Sequence, residues 1–287
     1  MDTPGITAVL LISCRDQRGL VAAVSDFLYR HDGNIVHADQ HTDREEGVFL
    51  QRVEWELDGF ALSRDGIAEA FRPIAERFGM QWKLHFSDEV PRVGLMVSKL
   101  PHCLYDLLAR WRLGEIRAEI PLIISNHETA RPIADEFGVP FHCLPVSAAT
   151  RAAQEAAAIA LLERERVELV VMARYMQILS ADFVTRRHNG IINIHHSFLP
   201  AFAGGRPYHQ AHERGVKIIG ATAHYATADL DQGPIIEQDV ARVSHRDSVD
   251  DLVRKGRDLE KVVLARAVSL HLRRRIVVYG NKTVVFD

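Results

Sequence analysis

Gly190-Ile191-Ile192-Asn193-Ile194-His195-His196-Ser197-Phe198-Leu199-Pro200 is the stretch on which the reading of this chain turns. Its first residues are apolar and predict a buried strand, and an amide and two imidazoles emerge where that strand ends. Open α/β sheets bind their ligands outside the carboxyl ends of strands. An asparagine offers a neutral donor, and a histidine exchanges a proton near neutral pH. Together they can hold and protonate a developing oxyanion. The same residues also describe a polar loop beside two ordinary surface histidines, and the stretch alone leaves both open.

Around it, strand-like and helix-like segments alternate. Val93–Val97, Pro121–Ser125, Val139–Leu144, Leu169–Ala173 and Ile191–His195 read as strands. His102–Arg112, Ala130–Phe137, Ala149–Arg164 and Ala181–Arg187 read as the helices between them. This alternation predicts a doubly wound, mostly parallel sheet. Ala201–Gly205 is small and glycine-bearing, and Arg206–Gly215 reads as helical. Lys217–Tyr225 and Pro234–Val240 form two further strands, read as antiparallel. Ser248–Arg273 is a long helix with Leu252, Leu259, Val263, Ala267 and Leu270 inward, and Arg275–Phe286 is a closing hairpin.

The first part of the chain has a different rhythm. Thr7–Ser13 is an uninterrupted apolar strand, followed by the turn Arg15–Gly19 and a helix with Leu20, Val24, Phe27 and Leu28 on one face. Ile35–His41 and Val48–Leu57 are strands about a polar loop. A second helix buries Ile67, Ala70, Phe71, Ile74 and Phe78, and Met80–Phe86 alternates as a last strand. The order βαββαβ is ferredoxin-like. Ser87–Arg92 is polar, contains a proline, and is taken as the linker between domains spanning 1–86 and 93–287.

With 287 residues, 25% charged and 47% in the AVILMFWYC set, the chain has the composition of a soluble globular protein. A formal charge of −3 supplies no general attraction to nucleic acid or anionic lipid. No apolar run reaches the length of a membrane span, and Met1–Ile6 lacks the plan of a signal peptide. Cys14, Cys103 and Cys143 lack CxxC spacing, so a reducing cytoplasm is expected.

A second polar cluster, Ala226–Pro234, lies between the two antiparallel strands. An aspartate there can pair with a strand-end imidazole and orient it; the acidic residues equally suit a turn. His209 and His212 share a helix face, but no third ligand in a metal-binding spacing accompanies them. Neither GxGxxG nor GxxxxGK[ST] occurs, which removes the main support for dinucleotide and nucleoside triphosphate binding. The first strand–helix junction of the second domain, Val97–Cys103, has no glycine, and Pro101 has no N–H to offer a phosphate. Cys103 and Cys143 read as structural thiols.

Asn193-Ile194-His195 with Ser197, followed by Leu230-Asp231-Gln232-Gly233-Pro234, resembles the folate-dependent formyltransferases. Val171–Ser180 is similar to the segment that wraps the pterin ring in that family. The resemblance implies Asn193, His195 and Asp231 as the catalytic set. It implies Arg174, Met176, Gln177, Ile178, Leu179, Ser197, Thr227 and Gly233 as folate contacts. His196 stands where the transferases carry proline, and Ser98–Leu104 replaces their glycine-bearing phosphate loop. With Pro207–Ala211 and Ile219–Tyr225, these departures resemble the formyltetrahydrofolate deformylase family. Arg206 stands where lysine is common.

That resemblance implies hydrolysis of 10-formyltetrahydrofolate to tetrahydrofolate and formate, which supplies formate to one-carbon and purine metabolism. Asn193 and His195 would bind the oxyanion. Asp231 would orient His195, help place water and relay a proton to N10. His196 either helps hold the water or fills the proline's space. No metal or other cofactor is expected. Cys14–Val21 makes the first domain resemble an ACT domain. Glycine or methionine is then the implied effector, bound near Asp16, Gly19, Gly33 and Asn34 at an interface of a homo-oligomer, and Arg15 and Arg18 stand where proline is frequent.

Overall fold

The computed structural model describes residues 5–200 and 207–286. The expected glycine-bearing segment after Pro200 and Arg206 lie outside the described residues. In chain order the first elements are β1 (Thr7–Arg15), α1 (Leu20–Arg30), β2 (Ile35–Asp43), β3 (Val48–Glu56), α2 (Arg64–Phe78) and β4 (Gln81–Phe86). Their four strands pair antiparallel in the order β2-β3-β1-β4, as a ferredoxin-like unit requires. Leu20, Val24, Phe27 and Leu28 of α1 and Ile67, Phe71 and Ala75 of α2 join Trp55 and Val53 in one core. Ser63 caps α2 by accepting from the Gly66 N–H, and Gly79 ends it in the left-handed conformation.

The second face of this sheet is covered as well. β12 (Ile276–Tyr279) and β13 (Lys282–Val285) form the closing hairpin. Val277 and Phe286 pack on Val9, Leu11 and Leu50, the β1 and β3 residues that point away from the helices. That explains why Thr7–Ser13 is apolar at every step: a strand covered on both faces has no polar side to show. The chain divides into two compact units. One runs to Glu89 and includes Arg273–Tyr279 and the residues from Thr283 onward; the other comprises Val90–Leu272 with Gly280–Lys282. The expected boundary of 93–287 is corrected accordingly, because the hairpin's apolar face is buried in the first unit.

The second unit contains β5 (Arg92–Val97), α3 (His102–Arg112), β6 (Glu119–Ser125), α4 (Arg131–Phe137) and β7 (Phe141–Cys143). It continues through α5 (Arg151–Arg164), β8 (Leu169–Met172), α6 (Ala181–Thr185) and β9 (Ile191–His195). α7 (Pro207–Glu213), β10 (Ile218–Tyr225), β11 (Ile235–Arg242) and α8 (Val249–Leu272) complete it. Seven strands follow the order β11-β10-β9-β8-β5-β6-β7. The five from β9 to β7 are parallel, and β10 runs antiparallel to both of its neighbours, β9 and β11. After β5 the chain builds outward through β6 and β7, then crosses back to place β8 on the other side of β5. The order reverses there, so the carboxyl ends of β5, β8 and β9 flank a switch point, where a crevice forms.

Candidate active site

β9 alternates, so Asn193 and His195 project to one face while Ile194 is buried on the other. The antiparallel register with β10 sets His224 opposite Asn193 and Thr222 opposite His195. The loop after β10 then folds back on its own strand. Gly233 permits this approach: a Cβ there would lie 1.8 Å from the Tyr225 carbonyl oxygen. Asp231 takes a left-handed conformation, φ 56°, which aspartate tolerates better than most residues.

These constraints bring four polar side chains together. His195 Nδ1 is 3.1 Å from Asp231 Oδ2, and His224 Nε2 is 3.6 Å from Asp231 Oδ1. Asn193 Nδ2 lies 3.3 Å from His224 Nε2. His224 Nδ1 donates to the Tyr225 carbonyl at 3.0 Å, which fixes the ring's orientation. His195 Nε2 meets Ser197 Oγ at 2.8 Å. Burial opposes ionisation of Asp231, but hydrogen bonds and charge from His195 and His224 outweigh it and hold the carboxyl well below the usual range. An anion so stabilised orients imidazoles well and carries protons poorly, which weakens the expected relay role. Thr222 steadies the chain beyond β9: its hydroxyl donates to the Ser197 carbonyl at 2.9 Å and accepts from the Leu199 N–H at 3.1 Å.

Asn193, His224 and Asp231 face a cleft of about 370 Å³, open solvent at its mouth included. Met172, Gln177, Ile178, Leu179 and Val184 form one side, and Ala226, Thr227, Ala228 and Leu230 the other. A mostly apolar crevice with a few convergent polar groups is the form of a small-molecule site. Its first wall is latched to the start of α5. Arg151 Nη2 donates to the Ile178 carbonyl at 2.8 Å, Gln154 Nε2 to Tyr175 Oη at 3.0 Å, and the Ser180 N–H to Glu155 Oε1 at 2.7 Å.

The other expected contacts are placed differently. Met176 is outside the lining and 57% exposed; its N–H donates to Ser98 Oγ at 3.0 Å. Arg174 is also outside the lining, buried beside Glu260. Ser197 is engaged with His195, and Gly233 with the Tyr225 backbone. His196 packs its ring against His195 and Tyr208, at centroid distances of 5.3 and 6.0 Å.

His224 went unrecognised in the sequence; its signal was a single imidazole at the end of the small, apolar run Ile219–Ala223. His209 and His212 join no metal-binding group among the described residues. Among the described residues the group with such chemistry is His102, Cys103 and Glu260, whose donor atoms lie within 4.8 Å of one another. Both carboxylate oxygens of Glu260 are already engaged, by Tyr208 Oη at 2.7 Å and His102 Nε2 at 2.8 Å.

In the first unit the expected effector residues do not converge within one chain. Asp16 and Gly19 lie at the end where the Asp16 N–H donates to the Gly47 carbonyl. Gly33 and Asn34 lie at the other, where Asn34 Nδ2 donates to Glu56 Oε2 at 2.6 Å. The nine-residue β1 separates them by roughly 25 Å at about 3.3 Å per residue.

Fold and site define a two-part chain: a ferredoxin-like unit, and a doubly wound α/β unit with an Asn–His–Asp cluster at its cleft. Residues 91–268 match the formyl transferase family and residues 8–76 the ACT domain family. The chain is 64% identical over 281 residues to the formyltetrahydrofolate deformylase of a Synechocystis species, covering 98% of this chain and 99% of the relative. It is 42% identical to the Escherichia coli deformylase, at 96% and 97% coverage. The crystal structure of the Pseudomonas syringae pv. tomato deformylase superposes with a TM-score of 0.97 at 48% identity, over 99% of this chain and 95% of that one. A glycinamide ribonucleotide transformylase from Symbiobacterium toebii gives 0.66 at 33% identity, over 71% of this chain and 98% of its own. The chain belongs to the formyltetrahydrofolate deformylase family.

Proposed function

We propose that this chain hydrolyses 10-formyltetrahydrofolate to tetrahydrofolate and formate, with water as the formyl acceptor. The observation that carries this reading is the ionised Asp231 held between His195 and His224, with Asn193 beside it, at the floor of an apolar cleft. The pterin occupies the cleft between Gln177–Leu179 and Ala226–Ala228, which brings the formamide to Asn193. Attack on the formyl carbon converts its oxygen into an anion. Asn193 Nδ2 donates to that oxygen, and a single donor of this kind contributes about 10²–10³ in rate. Asp231 fixes the Nδ1–H of His195, leaving Nε2 to exchange Ser197 for the reacting group, to take up the proton that the attacking water gives up and to pass it to N10 as it departs. His224 holds the Asn193 amide and shares Asp231.

The ACT domain takes a small amino acid, glycine or methionine, between two copies of the chain in a homo-oligomer. Residues at both ends of β1 can then contribute from different copies. The three free cysteines fit work in the cytoplasm.

Incubation of the purified protein with 10-formyltetrahydrofolate alone tests the activity. Tetrahydrofolate and formate appear in equal amounts without any amine acceptor. Turnover that requires an added amine overturns the reading in favour of formyl transfer.

A further inference from the structure

The second unit holds a buried charged cluster that the steps above leave unused. Glu260, at the middle of α8, is 1% exposed. Its Oε1 accepts from Tyr208 Oη at 2.7 Å, and its Oε2 lies 2.8 Å from His102 Nε2 and 3.4 Å from Arg174 Nε. The cluster is built into the helix. Gly256 stands one turn before Glu260, and a Cβ there would come within 2.0 Å of Tyr208 Oη. A glycine inside a long helix costs about 1 kcal/mol relative to alanine; here it gives the tyrosine its path to the carboxylate. Burial works against ionisation of Glu260, yet His102, Arg174 and Tyr208 together hold its carboxyl below the usual range.

Two features point outward from this cluster. Arg174 is 8% exposed, and its Nε and Nη1 are buried without a hydrogen-bond partner. An unsatisfied buried donor costs about 1–3 kcal/mol, more when charged, so a guanidinium in this state calls for a small oxygen ligand. The other feature is His196, whose ring lies on Tyr208 and next to His195 with no hydrogen bond to either ring nitrogen among the described residues. Burial and then the charge of Arg174 push this imidazole down to about 4, with Glu260 and Asp231 opposing and His195 assisting. At neutral pH the ring therefore keeps both an acceptor nitrogen and an N–H. A donor and an acceptor that both lack partners thus flank the same Tyr208–Glu260 pair, Arg174 at the carboxylate and His196 at the phenol ring, and His196 lies beside the reacting imidazole.

We propose that Arg174 and His196 form the binding site for the attacking water, with Glu260, Tyr208 and His102 as positioning residues behind them. This rests on the hydrolytic reading above. Arg174 Nη1–H donates to the water oxygen, and the water donates one hydrogen to the free nitrogen of His196. A lone pair remains for the formyl carbon. As the C–O bond forms, the carbonyl pair moves onto the formyl oxygen and the shared proton passes to His196. Return of that pair breaks the C–N10 bond as the proton taken by His196 passes by way of the adjacent His195 to N10, which leaves both imidazoles neutral; the products are the secondary amine and formic acid, which ionises to formate.

The test uses the full chain and follows kcat and KM for 10-formyltetrahydrofolate against pH, with the His196 ring titrated by NMR. Arg174→Met lowers kcat at least about a hundredfold, leaves KM within about threefold, and moves the His196 titration upward. Glu260→Gln removes a facing negative charge and moves the same titration downward. Arg174→Lys keeps the charge, so it leaves the titration near its original position while kcat stays low for want of the planar donor fork. Loss of packing alone does not displace one ring in opposite directions. A rise in KM with kcat intact would make Arg174 a substrate contact and overturn the proposal, as would full turnover in Arg174→Met or an unmoved His196 titration in both variants. The two readings fail separately: no formate from the wild-type protein without an acceptor sinks the hydrolytic reading whatever the variants do.

Discussion

The two units put polar residues to use in opposite ways. In the first, the residues expected to bind an effector sit at the two ends of β1, and each is engaged locally, Asp16 with Gly47 and Asn34 with Glu56. In the second, residues from β9, β10 and the loop after β10 converge on one carboxylate. Strand register makes the difference. Antiparallel pairing of β9 with β10 sets Asn193 against His224, and the return of the loop at Gly233 delivers Asp231 to both. A site of this kind is complete in one chain. The first unit's residues meet only if a second copy brings the other end of its sheet.

The largest effects that would sharpen this contrast lie in the second unit. Asn193→Ala and Asp231→Ala each lower kcat by at least about a hundredfold in a protein that remains folded. His224→Ala also lowers kcat, since it supports both residues. Near-wild-type turnover in purified Asn193→Ala or Asp231→Ala, measured by formate release, removes those roles. The first unit answers differently. Val277→Ala uncovers the face formed by Val9, Leu11 and Leu50 and costs about 1–2 kcal/mol of stability. Turnover at a temperature where the variant stays folded changes by less than about twofold. A large loss of kcat in that variant would break the separation.

A smaller effect belongs to the wall of the cleft. Arg151→Ala or Glu155→Gln releases one hydrogen bond that ties Ile178 or Ser180 to α5. The chemistry is untouched and the loop's position is not, so KM rises about three- to tenfold with kcat held, consistent with about 1 kcal/mol for one such bond. A fall in kcat at unchanged KM contradicts this assignment.

Much of the fold was legible because hydrophobic period carries it. The helix His102–Arg112 and the strand Ile191–His195 occur at the expected residues. What period leaves undetermined is which surface an element covers. The hairpin at 276–285 reads as two strands, but its pattern says nothing of the sheet it packs on; the clue lay far away, in the unbroken apolar run of β1. The buried face of α8 shows the same limit. It includes Gly256 and Glu260, residues that hydropathy assigns to solvent, because Tyr208, Arg174 and His102 supply partners from distant segments. At the site, Asn193, His195 and Asp231 were readable from local motifs, whereas His224 acquires its role from a cross-strand partner 31 residues away.

The smallest effect is a pH dependence that each unit supplies independently. In the first, burial and the charges of Arg274 and Lys83 push His85 down to about 4. In the second, burial and Arg174 do the same to His196. An unfolded histidine titrates near 6.5. Between that value and about 4 the unfolded chain binds a proton at each position that the folded chain refuses, so stability rises with pH across this window and is lost as pH falls through it. Asp231 contributes nothing there: its depressed carboxyl stays ionised, and the stability it supplies is lost only at pH below the ordinary carboxylate range. His85→Gln removes the first unit's share without touching the second. Hydrogen exchange followed from pH 7 to pH 4.5 then shows a flatter stability profile for amides of β1 and β4, while those of β9 and β10 keep theirs. Equal flattening in both units would mean that they unfold as one, and the separation of roles drawn above would not extend to their stability.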